Sequence, residues 1–303
     1  MRSHEGLIPW VRALVGRAIP GWQSYGPWAH TGEYLLDDKL RVHPSKRETP
    51  DGLSALAGIR LLRDELRQER RVVRLVGLSG VGKTHLVQAL FDAGIGMQSL
   101  NPDLAIYTNI NDGPDPTPVG LASDLIAAGV RAILVIDNCS SDLHQRLSEI
   151  CRGAKSRLSV LTIEYDIRED VPEGTEVFTL DSSSPELIER LLRERFPALS
   201  QVDSRAIAEF SGGNARIAIA LAGTIARNET VAGLTDDQLF QRLFLQRHAP
   251  DPALFLAAQA CSLVYSLDGE DDDERAELAL LGNLIGQDPA EVYRHVAECN
   301  GVT

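Results

Sequence analysis

This 303-residue sequence has only four cysteines, no long apolar run and fewer positive than negative charges. The four cysteines are scattered, and none forms a C-x-x-C pair or a Cys/His pair with metal-site spacing. We therefore expect reduced thiols and a cytoplasmic protein. No apolar run reaches the roughly 18 residues that a membrane-spanning helix needs. The N-terminus also lacks the apolar segment of a secretory signal, so the sequence predicts no membrane association.

The charge balance limits the classes of partner. Asp and Glu number 43 against 30 Lys and Arg, which gives a formal net charge of −13. Such a balance argues against a generally basic surface for nucleic acid, although a local contact with nucleic acid stays open. The chain is 44% apolar, which at this length is enough for two or three compact units with cores of their own.

A glycine-rich segment carries the most specific motif. Residues 77–84 have the sequence GLSGVGKT and fit the phosphate-binding pattern G-x-x-x-x-G-K-S/T. An apolar run over 72–76 precedes the segment, and a pattern with helical spacing over 84–91 follows it. This strand–loop–helix context is the one that the motif requires. The predicted binding residues of this segment are Gly77, Ser79, Gly80, Val81, Gly82, Lys83, Thr84 and His85.

The residue types in this segment suit phosphate. Glycines allow a tight turn that presents backbone N–H groups inward, and the following helix directs its positive dipole end at the anion. Lys83 would reach the β- and γ-phosphates, and the Thr84 hydroxyl would bind Mg²⁺. The segment therefore predicts binding of ATP or ADP with Mg²⁺. A glycine-rich turn with a solvated lysine is the alternative.

Strands and helices alternate after this segment. The predicted strands cover 104–108, 131–138, 158–163 and 176–180, and the helices between them cover 119–128 and 141–152. Near-continuous apolar strands separated by helices predict an α/β fold, with a parallel sheet covered on both faces. A ligand should then lie at the C-terminal ends of the strands. An amphipathic helix over 53–70 precedes the motif, and 48–55 is a candidate contact for adenine.

The strongest predicted strand ends in an acid, Asp137. An acid at this position would emerge beside the phosphate loop and hold Mg²⁺, although it could instead cap a helix or a turn. Asn138 follows, and its amide cannot accept a proton as a carboxylate does. Glu164, just past the next strand, could activate water in its place, or its side chain could point away. We assign Lys83, Asp137 and Asn138 to the catalytic region and expect slow hydrolysis.

Two further polar residues are candidates for contact with the nucleotide. Thr162 ends a predicted strand, where a polar side chain could sense the γ-phosphate or could simply be a β-branched strand residue. Arg216 lies in the first turn of a predicted helix over 217–226 that Asn214 caps. A cation there is unfavourable for the helix dipole, which favours a phosphate partner. A surface arginine is the alternative.

The pattern is entirely helical after residue 181. Predicted helix caps are Ser184, Asp203, Asn214, Thr235 and Asp288. We predict four regions: an N-terminal segment and linker over 1–50, the α/β domain over 51–181, a helical lid over 182–231, and a helical region over 232–303. Within the first region we predict a helix over 7–19, a turn over 20–28 and a linker over 43–52.

Two segments resemble a known family. Residues 133–139 (ILVIDNC) are similar to the LLVLDNC segment of bacterial STAND proteins, which form the signalling branch of the AAA+-like P-loop ATPases and include NB-ARC and NACHT proteins. Residues 212–218 (GGNARIA) are similar in position to the GGLPLAL segment of that branch and to the sensor arginine of AAA+ lids. The resemblance covers about residues 50–230. The chain departs from it in lacking the proline of GGLPLAL and an arginine after Thr162.

The resemblance implies an ATP- and Mg²⁺-dependent molecular switch. Nucleotide would lie between the α/β core and the helical lid, with slow hydrolysis as the reset. Related proteins act in transcription regulation or defence against phage, and they bind a protein partner or form homo-oligomers in the ATP state. Residues 232–298 could begin a winged-helix domain. Because such proteins usually continue into a repeat-rich sensor, we expect either a fragment or a subunit that receives its signal elsewhere.

Two other functions stay open. The first is an AAA+ motor or loader that acts on nucleic acid or protein, which requires fast turnover and an arginine supplied by a neighbouring subunit. The second is a nucleotide-gated scaffold that binds ATP without hydrolysing it, which Asn138 favours.

Overall fold

A mostly parallel sheet organises the first part of the chain. The computed structural model describes residues 20–24, 38–47, 49–164, 175–225, 230–244, 251–264 and 276–300. The chain divides into two compact units, residues 1–222 and residues 223–303. The helix that we predict over 7–19 lies outside the described residues.

Eight strands of the described chain form the sheet. They are β1 (Trp22–Ser24), β2 (Arg41–Pro44), β3 (Leu53–Ser54), β4 (Val72–Val76), β5 (Ala105–Asn109), β6 (Ile133–Asp137), β7 (Ser159–Ile163) and β8 (Glu176–Leu180). Their spatial order is β1-β5-β6-β7-β4-β8-β2-β3. The central strands β5, β6, β7, β4 and β8 are parallel, and the outer strands are added by antiparallel pairing. The predicted α/β fold with a parallel sheet is confirmed, and the sheet is mixed at its edges.

Helices separate the strands and continue after them. In the first unit they are α1 (Ala55–Arg67), α2 (Lys83–Phe91), α3 (Pro118–Ala127), α4 (Ser141–Cys151), α5 (Pro185–Arg195), α6 (Gln201–Phe210) and α7 (Ala215–Ala222). In the second unit they are α8 (Asp236–Phe244), α9 (Pro252–Cys261), α10 (Glu277–Ile285) and α11 (Pro289–Asn300). None of the helices in the described ranges has the length and apolar character to cross a membrane.

Alternation along the buried strands divides their side chains between two cores. Strands β4, β6 and β7 are buried along their whole length. Leu75 and Val135 pack in the core with α1 and α2, whereas Val72 and Leu134 pack in the core with α3 and α4. Helices therefore cover both faces, and the C-terminal ends of the parallel strands are left at one edge of the sheet.

Two short strands correct the predictions for the N-terminal region. Trp22–Ser24, predicted as part of a turn, pairs with β5, and Arg41–Pro44, which overlaps the predicted linker, pairs with β8. These segments are too short for a two-residue alternation to be visible in the sequence. Tertiary contacts hold them instead: Val42 is fully buried, and Trp22 donates from Nε1 to the Pro116 carbonyl at 2.7 Å.

Side-chain caps set the starts of several helices. Ser184 accepts from the Leu187 amide at the start of α5, as predicted. The predicted cap Asp203 is wrong, because Ser200 caps α6 and accepts from the Asp203 amide at 3.0 Å. The serine lies three residues earlier, so Asp203 falls in the first turn, where its carboxylate favours the helix dipole.

The secondary-structure elements described in the second unit are all helices. Thr235 and Gln238 form the predicted capping box of α8, with Gln238 Oε1 accepting from the Thr235 amide at 2.9 Å. Helices α9, α10 and α11 pack around Ala257, Leu278 and Val292. The second unit thus has a small apolar core of its own.

Candidate phosphate-binding site

The phosphate-loop motif and Asp137 lie at the same edge of the sheet. The motif connects β4 to α2, and Asp137 is the last residue of β6. Strand β7 lies between β4 and β6, and its Ile163 pairs in register with Asp137. The strand order thus brings together polar residues that are far apart in the sequence.

Gly77 and Gly80 permit the shape of the loop. Their φ angles are 144° and 86°, which favours glycine. A Cβ at Gly77 would lie 2.6 Å from the carbonyl oxygen of Leu180, and one at Gly80 would collide with the side chain of Asn214. Gly82 precedes the first turn of α2. The helix therefore begins at the loop, and its first N–H groups have no carbonyl partner within the helix.

Lys83 is held at the loop by backbone carbonyls. Its Nζ donates to the carbonyl oxygens of Gly77 and Leu78, both at 2.7 Å, and the residue is buried. The pKa of Lys83 is lowered to about 8, chiefly by burial and to a smaller extent by Arg216, while Asp137 opposes the shift. An anion next to this ammonium would compensate for its lost hydration.

Asp137 is bonded on both carboxylate oxygens. Oδ2 accepts from Thr84 Oγ1 at 2.9 Å and from the Tyr107 hydroxyl at 3.1 Å, and Oδ1 accepts from the Asn138 amide at 2.9 Å. Burial raises the pKa of Tyr107, which therefore stays a donor. Sequence reasoning missed Tyr107, because a tyrosine on a neighbouring strand has no motif of its own. These bonds fix the carboxylate beside the loop.

The chemistry of this pair fits Mg²⁺. Thr84 and Asp137 present a hydroxyl and a carboxylate oxygen, the hard ligands that Mg²⁺ prefers, and both residues line the same cavity. The described residues contain no group of three or more His, Cys, Asp or Glu that could hold a metal. A magnesium ion here would therefore keep waters or take phosphate oxygens, as Mg²⁺ usually does.

Asn138 has a left-handed backbone conformation, and its side chain is hydrogen-bonded to a neighbouring residue. Its φ is 54°, in the left-handed region that asparagine tolerates. The side-chain Nδ2 donates to Asn109 Oδ1 at 3.0 Å. Both residues line the cavity, so the structure places an amide pair, and no carboxylate, at the position after Asp137.

The carboxylate of Glu164 is bonded away from the loop. Oε2 accepts from Arg74 Nε at 2.7 Å, and Oε1 accepts from Thr162 Oγ1 at 3.0 Å. Thr162 pairs in register with Arg74, and Glu164, two residues later, shares their face of the sheet. Ile163, the partner of Asp137, faces the opposite side. Glu164 contributes to the cavity wall while its charge is paired with Arg74.

Thr162 lies inside the protein. Its hydroxyl is fully buried and lies 2.7 Å from His144 Nδ1, and it is not among the residues that line the cavity. His144 Nε2 lies 3.1 Å from Thr175 Oγ1. The described contacts of Thr162 therefore belong to a buried polar network under α4.

Arg216 and Asn214 contact the phosphate loop. Arg216 donates from Nη1 to Ser79 Oγ at 3.2 Å, and Asn214 donates from Nδ2 to the Ser79 carbonyl at 2.7 Å. Asn214 Oδ1 also accepts from the amides of Arg216 and Ile217, which confirms it as the cap of α7. The structure thus brings the predicted helical residues to the loop.

These residues surround a cavity of about 560 Å³. Its walls include Ser79, Gly80, Gly82, Lys83, Thr84, His85, Asn109, Asp137, Asn138, Ile163, Glu164, Arg195, Arg216, Ile219 and Ala220. Val81 is instead buried in the core with α1 and α2. Residues 49–55 are not among the wall residues, and Arg195, at the end of α5, is one that sequence reasoning missed. An exposed arginine in a charged helix has no distinguishing pattern.

The sequence matches no protein-family model and no curated protein. Solved structures with a similar chain path include the RuvB Holliday junction branch migration motor of Thermotoga maritima, with 14% identity, coverage of 81% of this chain and 87% of that chain, and a TM-score of 0.43. A STAND protein of Pyrococcus horikoshii with a tetratricopeptide repeat sensor has 15% identity and a TM-score of 0.38; the match covers 79% of this chain but only 38% of that one.

The AAA domain of FIGL-1 in complex with ADP is a third example. It has 14% identity and a TM-score of 0.41, and the match covers 87% of this chain and 97% of that chain. The residues of this chain itself supply the phosphate-loop motif, the acid at the end of β6 and the helices that follow the sheet. The described chain has an α/β fold, a mostly parallel sheet followed by helices, with the phosphate-loop motif between β4 and α2.

Proposed function

We propose that the chain is an ATP- and Mg²⁺-dependent molecular switch with slow ATP hydrolysis. The observation that carries the proposal is the contact of 2.9 Å between the Thr84 hydroxyl and the Asp137 carboxylate, beside Lys83 in one cavity. A lysine and a hydroxyl in the first turn of the helix after the loop, with a carboxylate at the end of a nearby strand, are the groups that bind a nucleotide polyphosphate with magnesium.

Each group has a distinct role in this proposal. The backbone N–H groups of the loop and the start of α2 bind phosphate oxygens. Lys83 contributes a charge to the β- and γ-phosphates, and oxygens of Thr84 and Asp137 hold Mg²⁺. When bound, the ion would neutralise negative charge on the phosphates. Tyr107 and the Asn138 amide keep the carboxylate of Asp137 in place.

Contacts from the later helices support a switch. Asn214 and Arg216 bond Ser79 within the loop, at 2.7 Å and 3.2 Å. A ligand bound in the loop would lie beside these contacts, and any change that it makes in them would bias the position of the helices. We propose that ADP and ATP do so differently, through the γ-phosphate and Arg216.

The side chains of Asn138 and Glu164 support slow hydrolysis. The side chain of Asn138 is an amide bonded to Asn109, and the carboxylate of Glu164 is paired with Arg74. Neither is a free carboxylate that could take a proton from water. The same observation favours a second candidate, a nucleotide-gated scaffold that binds ATP without hydrolysing it.

The biological setting is the least specified part of the proposal. We propose a signalling or regulatory protein, in transcription or in phage defence, that binds a protein partner or a second copy in the ATP state. A cytoplasmic location follows from the reduced thiols that we expect. The motor alternative requires fast turnover. The hydrogen-bonded amide of Asn138 and the pairing of Glu164 with Arg74 disfavour it.

Nucleotide binding and turnover of the purified chain test the proposal. Retained ADP and single-turnover ATP hydrolysis should be measured for the wild type, Lys83→Ala and Asp137→Ala, with Lys155→Ala as an exposed control. Tight ADP binding with turnover far below the roughly 1–10³ s⁻¹ typical of enzymes supports the switch. Binding with no turnover favours the scaffold. Fast turnover that both site variants abolish favours the motor, and no nucleotide binding refutes all of them.

A further inference from the structure

Arg195 is an arginine of the cavity wall that the motifs leave unexplained. It is the last residue of α5, and it lines the cavity together with Lys83 and Arg216. Its side chain is exposed, and the described parts of the chain contain no hydrogen bond or ion pair to it. The guanidinium is therefore available to a ligand in the cavity.

The charges around the cavity favour an anion. Lys83, Arg195 and Arg216 come from three different helices and converge on one space. Of the two acidic wall residues, Asp137 is bonded by Thr84 and Tyr107, and Glu164 is paired with Arg74. The cations thus outnumber the acids that can neutralise them. A polyanion in the cavity would relieve the repulsion among these three cations.

We propose that Arg195 binds the terminal phosphate of a nucleoside triphosphate and makes the site favour triphosphate over diphosphate. This inference rests on the proposed function. The loop and Lys83 suffice for phosphates that both nucleotides share. A further guanidinium matches the additional phosphate, because its planar donors form two parallel hydrogen bonds to phosphate oxygens. Arg195 thereby couples α5, as well as α7, to the identity of the nucleotide.

Two variants and a matched control test this role in the full chain. Dissociation constants of ADP and of a non-hydrolysable ATP analogue, both with Mg²⁺, should be measured by calorimetry for Arg195→Ala, Arg195→Lys and Arg193→Ala. Arg193 is an exposed arginine in the same last helical turn that does not line the cavity. Thermal unfolding of each variant shows whether the fold is intact.

Arg195→Ala should weaken the binding of the ATP analogue by about tenfold, which is the effect of one lost charge-assisted contact. The affinity for ADP should stay within about twofold of the wild-type value. Arg195→Lys should retain part of the preference, Arg193→Ala should retain all of it, and added salt should reduce the difference. If wild type binds both nucleotides and Arg195→Ala weakens neither or both equally, this inference is overturned and the proposed function stands. If wild type binds neither nucleotide, the proposed function itself fails.

Discussion

Arg74 donates from Nε to Oε2 of Glu164 at 2.7 Å, and the two side chains are 0% and 1% exposed. Arg74 belongs to β4, which leads into the phosphate loop, and Glu164 directly follows β7. The pair joins the strand that supports the loop to the strand beside Asp137. Because both charges are removed from water, each depends on the other.

Breaking this pair should destabilise the protein strongly. Arg74→Met leaves the Glu164 carboxylate buried without the positive charge of Arg74, and we expect the free energy of unfolding to fall by about 3–5 kcal/mol. Urea denaturation measures the change. The exposed pair of Arg157 and Glu69, with a distance of 2.8 Å, is the control, and Arg157→Ala should cost less than about 1 kcal/mol.

The double variant Arg74→Met/Glu164→Leu separates charge burial from packing. Removing both charges should recover much of the lost stability, since an apolar pair of similar volume often replaces a buried ion pair without loss. A double variant as unstable as Arg74→Met alone would show that the ion pair is not the cause.

Asn138→Glu should accelerate ATP hydrolysis. The substitution supplies a carboxylate at the cavity wall, next to Asp137, and general base catalysis typically contributes about 10²–10⁴-fold. We expect a smaller gain, about tenfold or more, because the φ of 54° disfavours glutamate. Single-turnover hydrolysis is the measurement. Asn138→Gln has similar size and the same backbone cost without a carboxylate, so equal rates in the two variants would contradict the explanation.

The sequence predicts that Lys83, Thr84 and Asp137 lie close together, and the structure places them around one cavity. Lys83 and Thr84 follow from a motif with fixed spacing, and Asp137 follows from its place after a buried apolar run. Both signals are local in the sequence. In a parallel sheet the C-terminal ends of the strands lie at the same edge, so the topology brings these residues together. The position of Arg216 also followed, because a helix cap and a first turn can be recognised from neighbouring residues.

Other parts of the site depend on tertiary structure. The direction of the Glu164 carboxylate depends on the face of the sheet to which the residue belongs. The pairing of β7 with β4, in which Thr162 lies opposite Arg74, determines that face. Tyr107 and Arg195 reach the site from a neighbouring strand and from a helix end, and no motif marks either of them. Strand β2 is formed by pairing with β8 rather than by its own pattern.

Nucleotide affinity should fall as pH rises above about 8. The pKa of Lys83 is about 8 in the folded chain, compared with 10.5 for an ordinary lysine. Loss of its proton removes the charge that binds phosphate, so affinity for the ATP analogue should decrease by up to about tenfold per pH unit. Calorimetry at pH values from 7 to 10 measures the affinity. Lys83→Met is the control, because it has no ammonium group to lose a proton.

Protein stability should change with pH in the opposite direction. The pKa of Lys83 is lowered on folding, so between the two values the unfolded chain holds a proton that the folded chain has lost. Stability contributed by this residue therefore rises as pH increases through that window. A wild-type stability profile that matches Lys83→Met from pH 7 to 10 would contradict the lowered pKa.

Arg63 should be essential for the position of α2. It is 1% exposed, and its guanidinium donates to backbone carbonyls at and after the end of that helix. The acceptors are Ala89 at 2.7 Å, Leu90 at 2.9 Å, Asp92 at 2.9 Å, Ile95 at 2.7 Å and Met97 at 3.1 Å. A cation there also complements the negative end of the helix dipole.

Arg63→Met removes every one of these donors and leaves buried carbonyls unpaired, so we expect a loss of about 2–4 kcal/mol in the free energy of unfolding. Arg63→Lys should recover only part of it, because an ammonium has three donors in place of the five of a guanidinium. Arg60→Met changes an exposed residue of α1, the helix that contains Arg63. Its free energy of unfolding should stay within about 0.5 kcal/mol of the wild-type value. Since α2 begins at the phosphate loop, Arg63→Met should also weaken nucleotide binding in the fraction that remains folded. Wild-type stability in Arg63→Met would show that water can replace the guanidinium at the end of α2.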